Sequence, residues 1–90
     1  MGLQYRPMIE PDTVFLFVPM GPGRMFHSQN VSEPFDIAFL DRTWTVLKKE
    51  MVSPPHGTVW SPEGTAMAVE AKAGWLDFWG FLPGRRRPFG

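Results

Sequence analysis

Asn30-Val31-Ser32-Glu33-Pro34-Phe35-Asp36-Ile37-Ala38-Phe39-Leu40-Asp41 decides the fold of this chain. After Pro34, which resists both helix and ladder donation, Phe35, Ile37 and Phe39 alternate with Asp36, Ala38 and Leu40. A strand with this pattern carries apolar groups on both faces and must be covered on both. The exception is Asp36, a carboxylate inside an otherwise apolar run. Its burial demands hydrogen-bond donors from elsewhere in the fold.

Working outward, Asp41-Arg42-Thr43 reads as a tight connection, and residues 44–52 as the return strand of a hairpin expected at the centre of the sheet. Upstream, Thr-Val-Phe-Leu-Phe-Val over residues 13–18 is a strong strand, closed by Pro19-Met20-Gly21-Pro22-Gly23, and residues 24–28 form the next. Residues 53–64 read as a long loop in which Trp60 lies as a lid over the core. Residues 65–71 resume strand character. Residues 73–79 then predict a short helix stopped by Gly80, with Trp75, Phe78 and Trp79 on its core-facing stripe.

Ten prolines and nine glycines among 90 residues leave no room for long helices, and no repeat or linker divides the chain. The expectation is one α+β, mainly β domain over residues 1–90: a single small rolled or barrel-like sheet with one short helix near the C-terminus. A domain of this size hides only roughly 60 to 65% of its unfolded surface. Eight Phe and four Trp supply much of the core that this requires.

The absence of cysteine removes disulfides, thiolate metal sites and thiol nucleophiles. Two widely separated histidines do not make a metal site, and no cofactor is expected. Neither the phosphate-loop nor the dinucleotide glycine pattern is present, and Ser28 and Ser61 lack the setting of a nucleophile elbow. Nine basic and nine acidic residues cancel, which argues against steering toward nucleic acid or membranes. Arg85, Arg86 and Arg87, flanked by Phe81 and Phe89, are the weak nucleic-acid candidate; their bland reading is a solvated tail. No signal sequence or membrane span is legible, so a cytoplasmic protein is expected.

Several blocks, taken in order, resemble the family catalogued as domain of unknown function 192 (DUF192), a set of small, mostly bacterial and archaeal proteins. Gly2-Leu3-Gln4-Tyr5-Arg6 is similar to the family's Gly-Leu-Met-Phe-Arg, and Val14-Phe15-Leu16-Phe17-Val18 to its Gly-Met-Leu-Phe-Val. The stretch from Phe26 to Ile37 resembles its Phe-Trp-Met-Lys-Asn-Thr-x-x-Pro-Leu-Asp-Ile, keeping Asn30, Pro34 and Asp36. Glu70, Ala73-Gly74-Trp75, Gly80 and Gly84 follow its closing pattern. His27, Ser28 and Gln29 replace the family's Trp, Met and Lys, and Arg85 its closing Asp. The opening strand and helix of the family have no counterpart before Gly2. The resemblance implies a compact, largely β domain with a rolled or barrel-like sheet, and no activity.

The polar residues in or beside these blocks, His27, Asn30, Asp36 and Glu70, are the candidate ligand-binding site, together with Trp60. Asp36 near a histidine is raw material for acid and base chemistry, so the alternative is a hydrolase-like enzyme using Asp36 with His27. The structural reading has Asp36 accepting backbone N–H groups of a glycine-rich turn or of the Asn30 loop, and Glu70 capping the helix or pairing with Arg6 or Arg24. The expected function is a small ligand- or protein-binding module without catalysis. A homodimer is expected, paired through the uncharged strand over residues 13–18.

Overall fold

The computed structural model describes residues 14–17, 21–27, 33–54 and 57–87. Six strands and one helical turn follow in order: β1 (Val14–Phe17), β2 (Met25–His27), β3 (Phe35–Leu40), β4 (Val46–Val52), β5 (Thr58–Trp60), β6 (Met67–Lys72) and α1 (Trp75–Phe78). The domain is α+β and mainly β. Among the described residues its sheets are open and do not close into a barrel: four antiparallel strands run in the order β1-β6-β3-β4, and β2 pairs with β5 in a separate ribbon.

The alternation in β3 sorts the core into two halves. Phe35, Ile37 and Phe39 pack with Val52, Val59 and Ala68 under the β2–β5 ribbon, where Phe26 joins them. Ala38 and Leu40, on the opposite side, pack with Val46, Met67, Val69, Ala71, Leu76 and Phe81 beneath α1 and the segment after it. All six β3 residues are buried because helix and ribbon cover the two faces. Each large apolar side chain buried in this way contributes about 1.5 to 3 kcal/mol.

The centre of the sheet is β6–β3, not the β3–β4 hairpin. β3 pairs with β4 on one side and with β6 on the other. β4 therefore lies at the edge, where residues 84–87 partly cover it. Val46 N–H donates to the Arg85 carbonyl, Gly84 N–H to that of Val46 and Arg87 N–H to that of Trp44, and Thr45 faces Arg86. Thus Arg85, Arg86 and Arg87 are not a solvated tail; their backbone extends the sheet. The turn Leu82-Pro83-Gly84-Arg85 aims this segment, with the Arg85 N–H on the Leu82 carbonyl and Gly84 at φ 86°, a left-handed angle that glycine adopts without strain.

The connection at Asp41 is as tight as its sequence predicts. Trp44 N–H donates to the Asp41 carbonyl, and the Asp41 carboxylate accepts Thr43 N–H, Thr43 Oγ1–H and Thr45 N–H at 2.7 to 3.0 Å. Those donors hold the Asp41 carboxyl below its usual range. Trp44 then takes φ 68°, where hairpins of this kind usually place glycine. Its ring packs against the core beneath α1, so packing helps hold a backbone angle that a tryptophan disfavours.

Two further expectations change. Residues 53–64 are not one open loop, because Thr58–Trp60 forms β5. It is Val59 that enters the core, while Trp60 remains 56% exposed. The helix is a single turn, and Leu76, not Phe78, anchors it: Leu76 is fully buried and Phe78 is 73% exposed. One turn is too short to present a stripe at i, i+3 and i+4, so only the residue aimed at the sheet is fully buried. Trp75 and Trp79 flank the core half-buried. The expected stop at Gly80 is observed: at φ 82°, Gly80 N–H bonds the Asp77 carbonyl and Phe81 N–H bonds that of Leu76. This double bond closes the turn and carries Phe81 back onto Leu76.

Candidate functional site

Asp36 is 3% exposed and lies on the helix side of β3. Its Oδ2 accepts the Gly74 N–H at 2.8 Å, and the Leu76 N–H also points to it. Gly74 sits at φ 91° immediately before α1, and no side chain of the helix segment itself caps the turn. A carboxylate from a distant strand therefore satisfies the donors at the start of the turn. Of the two donor groups that the sequence suggests, this is the glycine-rich turn; the Asn30 loop lies outside the described residues.

The charges around Asp36 complete the picture. Lys49 projects from β4 on the same face and pairs with Asp77 of α1 at 2.5 Å. Burial pushes the Asp36 carboxyl above its usual range; the Gly74 N–H and Lys49 oppose that rise, and Asp77 adds to it. Asp36, Lys49 and Asp77 thus tie α1 to β3 and β4.

Glu70 is buried too, at 5% exposure, but it faces the other way. It stands opposite Ile37 in the ladder, and Ile37 belongs to the core half under the ribbon. Asp36 stands opposite Ala71, on the helix side. A one-residue offset along adjacent strands therefore separates the two carboxylates by the thickness of the sheet. Nor can Glu70 cap α1, which lies on the opposite face. His27 ends β2 opposite Thr58 in the ribbon. The side chain of His27, and Asn30 and His56 altogether, lie outside the described residues.

Trp60 occupies another surface. It stands opposite Met25 in the ribbon, and the two side chains are 56% and 49% exposed on the side away from the core. Ser61, next in sequence, is buried and structural: its Oγ accepts the Arg24 N–H at 2.8 Å and donates to the Gly21 carbonyl at 2.9 Å, locking the turn before β2. Among the described residues no three His, Asp or Glu side chains group as a metal site, and no helix is long and apolar enough to cross a membrane.

Sequence reading missed Lys49 and Asp77 as neighbours of Asp36, and Met25 as the partner of Trp60. Each pairing depends on strand register; the contiguous polar run Lys48-Lys49-Glu50 marks β4 as partly exposed but does not say which of its residues faces Asp36.

The fold and this site define a class: a small open-sheet α+β domain in which a buried strand carboxylate fastens a single helical turn. The chain belongs to the DUF192 family, described as an uncharacterized ACR, whose sequence profile matches residues 1–88. No curated protein matches it. Two solved structures share the fold. A protein of unknown function from Novosphingobium aromaticivorans DSM 12444 superposes with a TM-score of 0.79 at 20% identity, over 98% of this chain and 65% of the other. A protein from Sinorhizobium meliloti 1021 described as a "putative transcription regulator" superposes with a TM-score of 0.76 at 31% identity, over 94% of this chain and 68% of the other. The chain thus spans about two thirds of the length of each.

Proposed function

We propose that this protein is a non-catalytic binding module that engages a protein partner through the outer face of the β2–β5 ribbon. The observation that carries the reading is the cross-strand pair of Met25 and Trp60, two large apolar side chains about half exposed side by side. Tryptophan and methionine are enriched at interfaces, because each buries a large area and adapts to its neighbour. The polar candidates support the same conclusion: Asp36 is engaged in holding α1, and Glu70 faces the opposite side of the sheet. The description of the Sinorhizobium meliloti protein as a regulator fits a molecule that binds and does not turn over a substrate.

The test replaces Trp60 with a photoreactive phenylalanine analogue and irradiates the protein in an extract of its own cells. A discrete adduct is expected that excess wild-type protein competes away and Trp60→Ser protein does not. Asp36→Asn should compete as wild type does, whereas an Asp36-dependent enzyme complex would not tolerate it. Absence of a competed adduct would refute the reading.

A second partner is another copy of the chain. Among the described residues β1 pairs only with β6, and Leu16 on β1 is 44% exposed. An uncharged edge strand can extend its ladder into a symmetry mate. Light scattering over a dilution series is expected to show a dimer. A strict monomer at high micromolar concentration removes this partner.

A further inference from the structure

The net charge of zero conceals a segregation of charge. Among the described residues, Lys48, Lys49 and Lys72 each pair with an acid, Glu50, Asp77 and Glu33 respectively. Arg42, Arg85, Arg86 and Arg87 make no ion pair there, and all four are exposed. Backbone pairing brings them to one end of the molecule. Residues 84–87 run antiparallel to residues 44–46, and Arg86 Nε donates to the Thr43 carbonyl at 2.8 Å, one residue from Arg42 in the same turn. The local acid, Asp41, turns its carboxylate into its own turn and spends it on three donors.

An exposed aromatic cluster adjoins this end. Arg87 lies over the Phe81 ring, with its Nε 3.4 Å from where a Cβ on Gly80 would stand. Two residues before Gly80, Phe78 is 73% exposed; its ring meets Trp75 edge-on at 5.1 Å, and Trp75 in turn meets Trp79 at 5.8 Å. Phe81 itself is buried and offers no free face.

The geometry points to a binding site for single-stranded nucleic acid, in which Arg42, Arg85, Arg86 and Arg87 contact successive phosphates and a base stacks on Phe78. Both parts are needed for this choice. Guanidiniums without an acidic partner suit any phosphate polyanion, but an exposed ring beside them rewards bases that are already unstacked, which a duplex does not offer. Anionic lipid headgroups would engage the arginines but offer no ring to stack on Phe78. This surface is distinct from the Met25–Trp60 ribbon, which covers the other face of the sheet, so the two proposals stand or fall separately.

The test is fluorescence anisotropy with a labelled 20-nucleotide oligothymidine from low to physiological salt. Four phosphate contacts predict a slope of log affinity against log salt of about −3, from roughly −0.7 per contact. Arg42→Gln with Arg85→Gln, two exposed side chains with no hydrogen bond, ion pair or ring contact among the described residues, should halve that slope and weaken binding at least tenfold at low salt. Phe78→Ala should weaken binding about 5- to 100-fold and leave the slope unchanged. Arg24→Gln, an exposed charge next to the β2–β5 ribbon, is the control and should change nothing. Three results would overturn the proposal: no salt-dependent binding of the oligonucleotide, equal or tighter binding of a duplex of the same length, or binding confined to phosphatidylserine vesicles.

Discussion

Replacing Asp36 tests the central physical claim, that a buried carboxylate is kept to hold a helical turn. In Asp36→Ala the Gly74 N–H loses its 2.8 Å acceptor and the Leu76 N–H loses the same group. A hydrogen bond to a charged group contributes about 1.5 to 3 kcal/mol, and a buried donor left unpaired costs about 1 to 3 kcal/mol. The desolvation that raises the Asp36 pKa is relieved at the same time, which offsets part of the loss. The expected net loss is about 2 to 3 kcal/mol, against roughly 5 to 13 kcal/mol for a domain of this length. Asp36→Asn keeps one oxygen acceptor and should lose about 1 kcal/mol. The pH dependence has a definite sign. Because the folded pKa lies above the unfolded value of 3.8, the folded state binds this proton more tightly. The contribution of Asp36 is therefore smallest above the folded pKa, grows as pH falls through it, and is complete below 3.8. Against the non-titrating Asp36→Asn variant, the wild type should thus gain stability on acidification across that window. Urea melts of all three proteins at several pH values measure both effects. Equal midpoints for wild type and Asp36→Ala, or a gap to Asp36→Asn that narrows as pH falls, would refute the reasoning.

Three further outcomes follow from burial and contact. Leu76→Ala should lose about 2 to 5 kcal/mol in denaturant melts while Phe78→Ala stays within about 0.5 kcal/mol of wild type, since only the former side chain is buried; the reverse order would mean that α1 is rotated. Ser61→Ala strips the acceptor from the Arg24 N–H and the donor from the Gly21 carbonyl, and should cost about 1 to 3 kcal/mol, with hydrogen exchange quickening around residues 21–27 before the rest of the domain. Gly57→Ala would set a Cβ 2.6 Å from the Ser53 carbonyl oxygen and 2.8 Å from a Val52 methyl carbon, so a loss of more than about 1 kcal/mol is expected and an unchanged melting midpoint would contradict the packing there.

The sequence alone determined the elements other than β5, and one of their fastenings. Alternation in β3 announces a strand covered on both faces, glycine at 80 announces the end of a helix, and the acid at 36 announces buried donors waiting for it. Each of these is a local property, set by side-chain period, backbone freedom or the cost of an unpaired charge, and each survives whatever the rest of the chain does. The family resemblance rested on such local blocks as well, and the profile match over residues 1–88 bears it out. Tertiary structure alone decided which side each group faces and what lies beside it. Strand order put β6 next to β3 and moved β4 to the edge, and the register across that pair sent Asp36 and Glu70 to opposite faces. It also turned residues 84–87 from a tail into a piece of sheet and assembled four arginines from two distant segments at one end. None of this was readable beforehand, because pairing partners and register are set by the summed burial of all the strands, and a shift of one residue in any of them exchanges its inner side chains for its outer ones.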